Sequence, residues 1–197
     1  MRGFYLILFC FCTVFSFGQL RRGHYYDLDG NKVEGKFKMK GNYFGAGSKL
    51  IFYTKEGEKR KLKPDKIQSA VLGVDSFAII TFFSAGYFSY FDADFGLVRN
   101  TGAINMYLHR SKRIASNSGG GVNTYPSFET REVFVINLSG TKKNYGIAKL
   151  SDFKKYFLPM IEDNMELTNK ILNTKSRFWM ESLPAFVQEY NDFKANR

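Results

Sequence analysis

"YYDLDGNKVEGKFKMKG", residues 25–41, reads as two strands and the turn between them. Asp29-Gly30 is the type of dipeptide that reverses a chain at least cost, because glycine accepts a positive φ. After the turn, Val33, Phe37 and Met39 alternate with Lys36, Lys38 and Lys40. A period of two places the apolar set on one face of a strand and the lysines in water. The stretch therefore predicts an antiparallel hairpin with one buried face.

The same grammar continues downstream. Residues 50–53 and 59–63 form a second pair of strands around Glu56-Gly57, and Pro64-Asp65 opens another turn before a strand over 67–72. "DSFAIITFF", residues 75–83, is rich in Phe and Ile and predicts a central strand. Strands are expected at 95–99 and 103–109, and a hairpin at 133–138 and 145–148 with its turn near Ser139-Gly140. From Ser151 the pattern changes. Phe153 and Phe157 lie four apart, and beyond Pro159 the residues Ile161, Met165, Thr168 and Leu172 recur at helical spacing. Ser151 is the expected N-cap, Pro159 the expected start of a second helix, and a last helix is expected over 184–193. Strands first and helices last make an α+β chain. The expectation is a predominantly antiparallel sheet or partial barrel over about 24–148, followed by a helical segment over about 151–193. No Pro-rich or Ser-rich linker divides it, so 19–197 is read as one domain.

The N-terminus bears on location. "MRGFYLILFCFCTVFSFGQ" has one early cation, an apolar run and a Ser16-Phe17-Gly18 ending, the form of a cleaved export signal over 1–18. The run is shorter than the ~20 apolar residues of a membrane-spanning helix. Both cysteines, Cys10 and Cys12, fall inside it, so the mature chain is expected to have no disulfide and no thiolate chemistry. The expected location is periplasmic, outer-membrane-associated or extracellular, with no transmembrane helix after cleavage.

Charge is unevenly placed. The chain carries a formal +11, and residues 19–66 hold 13 cations against 6 anions, whereas 151–197 hold 7 of each. A basic surface favours anionic partners, here an anionic glycan or a lipid head group, and an envelope protein is a further expected partner. Export makes nucleic acid the weakest of these.

The order of elements resembles a group of uncharacterised exported proteins of Bacteroidota. The likeness rests on the turn in "YYDLDGNKVEG", the strand with Ile51 and Phe52, and Pro64 to Ile67. It continues through Asp75 to Phe77, then Gly102, Ile104 and Tyr107, and ends at Tyr190-Asn191. It covers almost all of the mature chain. The resemblance implies an exported domain and brings no activity or functional residue with it.

Chemistry-bearing motifs are few. Gly119 to Gly121 follow the basic run 109–113, but no helix and no Gly-Lys-Ser or Gly-Lys-Thr comes after them, so a phosphate loop is not supported. Residues 111–130 read as a long loop, and loops beyond ~12–15 residues are commonly functional or disordered. No HxxxH or HxH spacing exists for zinc, and no GxSxG for an esterase. His109 reads as a surface residue of a basic patch. "DADFG", residues 92–96, reads as an Asp-rich turn, although in an extended strand Asp92 and Asp94 would share one face. Seven aromatics between Phe82 and Phe95 are too many to point inward together, so some are expected at a surface.

The sequence therefore points to an exported, non-enzymatic binding or interaction domain of the cell envelope, with no cofactor or metal. Its candidate contact surface is Arg110, Lys112, Arg113, Tyr125, Phe128, Tyr87 and Tyr90. Two alternatives stay open: a hydrolase built from Asp92, Asp94 and His109, and a structural accessory of an envelope complex.

Overall fold

A computed structural model describes residues 20–41, 48–54, 57–86, 89–114, 128–174 and 179–197, with backbone alone at 112–114, 128–129 and 179. The segment read as an export signal and most of the glycine-rich stretch lie outside these residues.

Among the described residues ten strands form one antiparallel open sheet, and the helices follow it, as the α+β reading expects. The strands are β1 (Arg21–Asp27), β2 (Lys32–Lys40), β3 (Lys49–Tyr53), β4 (Lys59–Leu62) and β5 (Ile67–Leu72). They continue with β6 (Asp75–Ser84), β7 (Tyr90–Asn100), β8 (Ile104–Ile114), β9 (Phe128–Leu138) and β10 (Tyr145–Ile147). The spatial order is β10-β9-β8-β7-β6-β5-β1-β2-β3-β4. Two meanders, β1 to β4 and β5 to β10, thus meet edge to edge where β1 pairs with β5.

The β1–β2 turn falls where the Asp-Gly pair predicts it, and Gly30 has φ +83°. Its organiser is Asp27, whose carboxylate accepts the amides of Asp29 and Asn31 and the Asn31 side-chain amide. Those bonds, the Asn31 side chain foremost, hold the Asp27 carboxyl below its ordinary range. In β2 the alternation is as read: Phe37 is buried, Val33 and Met39 half-buried, and the lysines exposed. Phe37 stacks on Phe52 and joins Leu50, Ile67, Leu72 and Phe95 in one apolar core.

"DADFG" is not a turn; it lies inside β7, which runs well upstream of the expected 95–99. The two carboxylates do not share an environment either. Asp94 is fully buried and Asp92 exposed. The reason is a break opposite Asp92. β6 pairs Thr81 with Ala93 and Phe83 with Phe91, and Phe82 between them has φ +49° and is 63% exposed. A bulky residue in that conformation is a backbone outlier, and the simple alternation of both strands is lost across it.

The β6–β10 end of the sheet curls so that β10 approaches β6. Asn144 Nδ2 donates to the Thr81 carbonyl at 2.7 Å and Asn144 Oδ1 accepts from Asn137, which in turn accepts from Asn105. Inside the curl lie Ile80, Phe83, Phe91, Val133 and Val135.

Helices cover the β8–β10 end. α1 (Leu150–Asp152) runs on through a π turn (Phe153–Phe157) and a 3-10 turn (Leu158–Ile161) to α2 (Met165–Leu172) and α3 (Trp179–Ala195). Three local expectations are corrected here. Ser151 does not cap; Lys149 holds the N-cap position and Asp152 accepts the amides of Ala148 and Lys149. Pro159 sits in the 3-10 turn, and the next α-helix begins at Met165 behind an Asn164 cap. The last helix begins upstream of Pro184, which lies inside it. Fully buried Leu183 extends the apolar face of Phe186, Val187 and Tyr190 through the proline, and this burial opposes the ~3 kcal/mol a proline can cost a helix interior.

Two residues of α3 dock it. Asn191 Oδ1 accepts the Ile104 amide at 2.8 Å while its Nδ2 donates to the Ile104 carbonyl at 2.9 Å. The Tyr190 hydroxyl donates to Asp163. Burial, helped by that carboxylate, pushes the Tyr190 phenol from 10.0 up to about 12. Between those pH values the unfolded chain loses this proton while the folded chain keeps it, so stability declines as pH rises through the window. Absorbance titration of the phenolates should show one tyrosine ionising near pH 12, and Tyr190→Phe should remove that step. An unchanged titration curve in the variant would refute the assignment.

Candidate functional site

β7 and β8 form a fork. Their ladder runs from Asn100↔Met106 to Leu97↔Leu108. Beyond it β7 continues beside β6, while β8 continues beside β9 as far as Ile114↔Phe128. The segment read as a loop over 111–130 is therefore strand at both ends, because Ser111, Lys112 and Arg113 pair with Arg131, Thr130 and Glu129.

Asp94 stands at the fork. Its Oδ1 accepts the backbone amides of Phe95 and Ser48, each at 2.8 Å, and its Oδ2 lies 2.9 Å from His109 Nε2. A carboxylate is an acceptor, so the Nε2 proton belongs in this bond. Among the described residues Nδ1 has no hydrogen-bond partner, and both side chains are 0% exposed. Phe83 and Phe91 meet the imidazole edge-on at 4.9 and 4.6 Å. His109 is thus not a surface residue of a basic patch. Asp94 satisfies the Phe95 amide and His109 Nε2 where the strands diverge, and aromatic rings close the site.

A general base must come within hydrogen-bond reach of a substrate proton, directly or through one water. The Asp94–His109 pair has the orientation of such a unit but no opening to solvent, and Asp92 is not part of it. Among the described residues no group of three or more His, Cys, Asp or Glu could hold a metal ion.

The fork also bounds an open cavity of about 470 Å³. Phe77, Leu97 and Leu108 are consecutive cross-strand partners, and with Phe95 and Met39 they form its apolar lining. Polar groups come from Ser48, Ser111 and Thr130, together with Arg21, Asp75 and Arg110. Arg21 pairs with Asp75, and Arg110 Nε donates to Glu132 at 2.7 Å. Each guanidinium carries further N–H donors beyond that bond.

Of the contact surface expected from sequence, Arg110 alone among the described side chains lines this cavity. Tyr90 is 59% exposed at the start of β7, opposite Ser84. Lys112, Arg113 and Phe128 lie in the β8–β9 ladder, with side chains outside the described residues. Tyr87 and Tyr125 fall outside them entirely. The aromatic cluster divides as expected, with Phe83, Phe91 and Phe95 buried and Phe82 and Tyr90 at the surface. Met39, Ser48 and Arg21 were missed, since nothing local marks strands β1 to β3 as neighbours of the fork.

Comparison of the chain with protein-family models, with curated proteins and with solved structures returned no match. Among the described residues no helix is long and apolar enough to cross a membrane.

Proposed function

We propose that the chain is an exported, non-enzymatic binding domain of the bacterial cell envelope, and that the fork cavity receives a small, partly apolar ligand bearing an acceptor group. The cavity carries this reading. Its volume of about 470 Å³ falls in the range of small-molecule sites, and it joins an apolar lining to a few polar groups. Arg21 and Arg110 have donors to offer a carboxylate or phosphate, and Phe95, Leu97 and Leu108 offer apolar surface.

The hydrolase alternative draws on the Asp94–His109 bond, and the burial of both side chains weighs against it. A role as a structural accessory differs in its partner and leaves the cavity without an occupant.

A dansylated fatty acid is a suitable probe. Saturable one-to-one binding is expected, and Met39→Trp, which fills the cavity from a half-buried position, should weaken it at least tenfold with the melting temperature retained. Equal binding by the two proteins, or no saturable binding by either, would remove the cavity from consideration.

A further inference from the structure

The outer face of β1 to β4 presents cations in rows set by strand register. Arg22 stands opposite Lys36, Lys36 opposite Tyr53, and Tyr53 opposite Lys59. In the next row Lys38 and Lys61 flank Ile51, and beyond it Lys40 faces Lys49. Like charges directly opposite one another destabilise a sheet, and two such pairs occur here. Among the described residues, Lys36, Lys38, Lys40, Lys49 and Lys61 form no ion pair. Ile51 is only 3% exposed between its two lysines, as expected where aliphatic stems lie over an apolar residue and the ammonium groups reach water. Next to these rows Arg22, Glu34, Lys36, Tyr53 and Thr54 line an open groove of about 580 Å³. Gly23 and Gly35 bring no side chain into it.

We propose that this face binds an extended acidic polysaccharide, with Tyr53 stacking on one sugar and the lysine rows pairing with its carboxylates or sulfates. Cations two strands apart are separated by about 10 Å, and those two residues apart along a strand by about 7 Å. Such a layout has no point of convergence for a single phosphate and suits charges repeated along a chain. A membrane surface is the poorer match, because none of the exposed large hydrophobic residues lies on β2, β3 or β4. Single-stranded nucleic acid is recognised by successive exposed aromatics, and here one half-buried tyrosine lies in the groove. The inference names an envelope partner consistent with the proposed binding role. It uses the opposite face from the apolar core of β1 to β3, so failure of the cavity assay leaves it standing.

The test uses the full mature chain with polyguluronate and heparin as probes, followed by calorimetry across a salt series. Saturable binding that weakens with salt is expected for both. The combined variant Lys36→Gln, Lys38→Gln, Lys61→Gln should bind about tenfold more weakly, since exposed ion pairs contribute modestly and add up. The combined variant Lys142→Gln, Lys143→Gln, Lys154→Gln removes the same charge elsewhere and should bind as the unmodified protein does. Tyr53→Leu, at unchanged charge, should weaken binding severalfold, and melting curves establish that each variant is folded. Equal losses in the two triple variants would reduce the effect to net charge and overturn the proposal. Tighter binding to phosphatidylglycerol vesicles or to DNA than to either polysaccharide would overturn it as well.

Discussion

Replacing Asp94 with alanine should lower the unfolding free energy by about 3–5 kcal/mol, the range for removing one partner of a buried ionic or charge-assisted pair. The loss goes beyond one bond. Asp94 is the acceptor for the Phe95 and Ser48 amides and for the His109 ring. Without it three donors remain buried and unpaired, and each such group costs about 1–3 kcal/mol. A second variant separates this account from general damage to the core. Asp94→Leu combined with His109→Phe removes both polar partners and should recover part of the loss, because apolar replacement of a buried pair is often neutral. Recovery is incomplete, since the two amides stay without an acceptor. Urea unfolding of the single and combined variants provides the measurement. A cost below about 1 kcal/mol for Asp94→Ala would mean that the fork is not held by this carboxylate.

The second large effect is expected at Gly146 in β10. A Cβ there would lie 1.7 Å from the Ser84 carbonyl oxygen and 2.9 Å from its carbon. The obstruction is backbone, which cannot rotate away as a side chain does. Gly146→Ala should therefore cost about 3 kcal/mol, the upper part of the overpacking range, and it should loosen the approach of β10 to β6. Hydrogen exchange at Tyr145 and Ile147 should accelerate in the variant. Gly41→Ala serves as the control, because among the described residues nothing lies within 4 Å of its Cβ position and its φ is not positive. Equal melting temperatures for the two variants would show that the curl of the sheet does not depend on this close approach.

The fork and the curl differ in kind from what could be read along the chain. The strand over 67–72 was legible to the residue, and β2 was legible in its pattern of burial. The first follows from the Pro64-Asp65 turn that precedes it, the second from period-two alternation after the Asp29-Gly30 turn. Helix starts were less legible: Lys149 and Asn164 begin their helices where Ser151 and Pro159 were expected, because Asp152 takes the amides at the first start and Asn164 caps the second, each over only three or four residues. At Phe82 the alternation itself misleads, since one residue at φ +49° breaks the pattern that would put Asp92 beside Asp94.

By itself the sequence determined an α+β chain, its strand-then-helix order, the Asp29-Gly30 turn and the cationic outer face of β2. These depend on periodicity and composition over a handful of residues. Only the tertiary structure decided that His109 is buried, that it meets Asp94 and not Asp92, and that Met39 and Arg110 share a cavity. Those outcomes depend on which distant residue completes each polar group. Asp94 draws its partners from 15 and 46 residues away, and Asn144 reaches back 63 residues to Thr81. A buried donor or acceptor must be satisfied somewhere, but the local pattern does not say by whom.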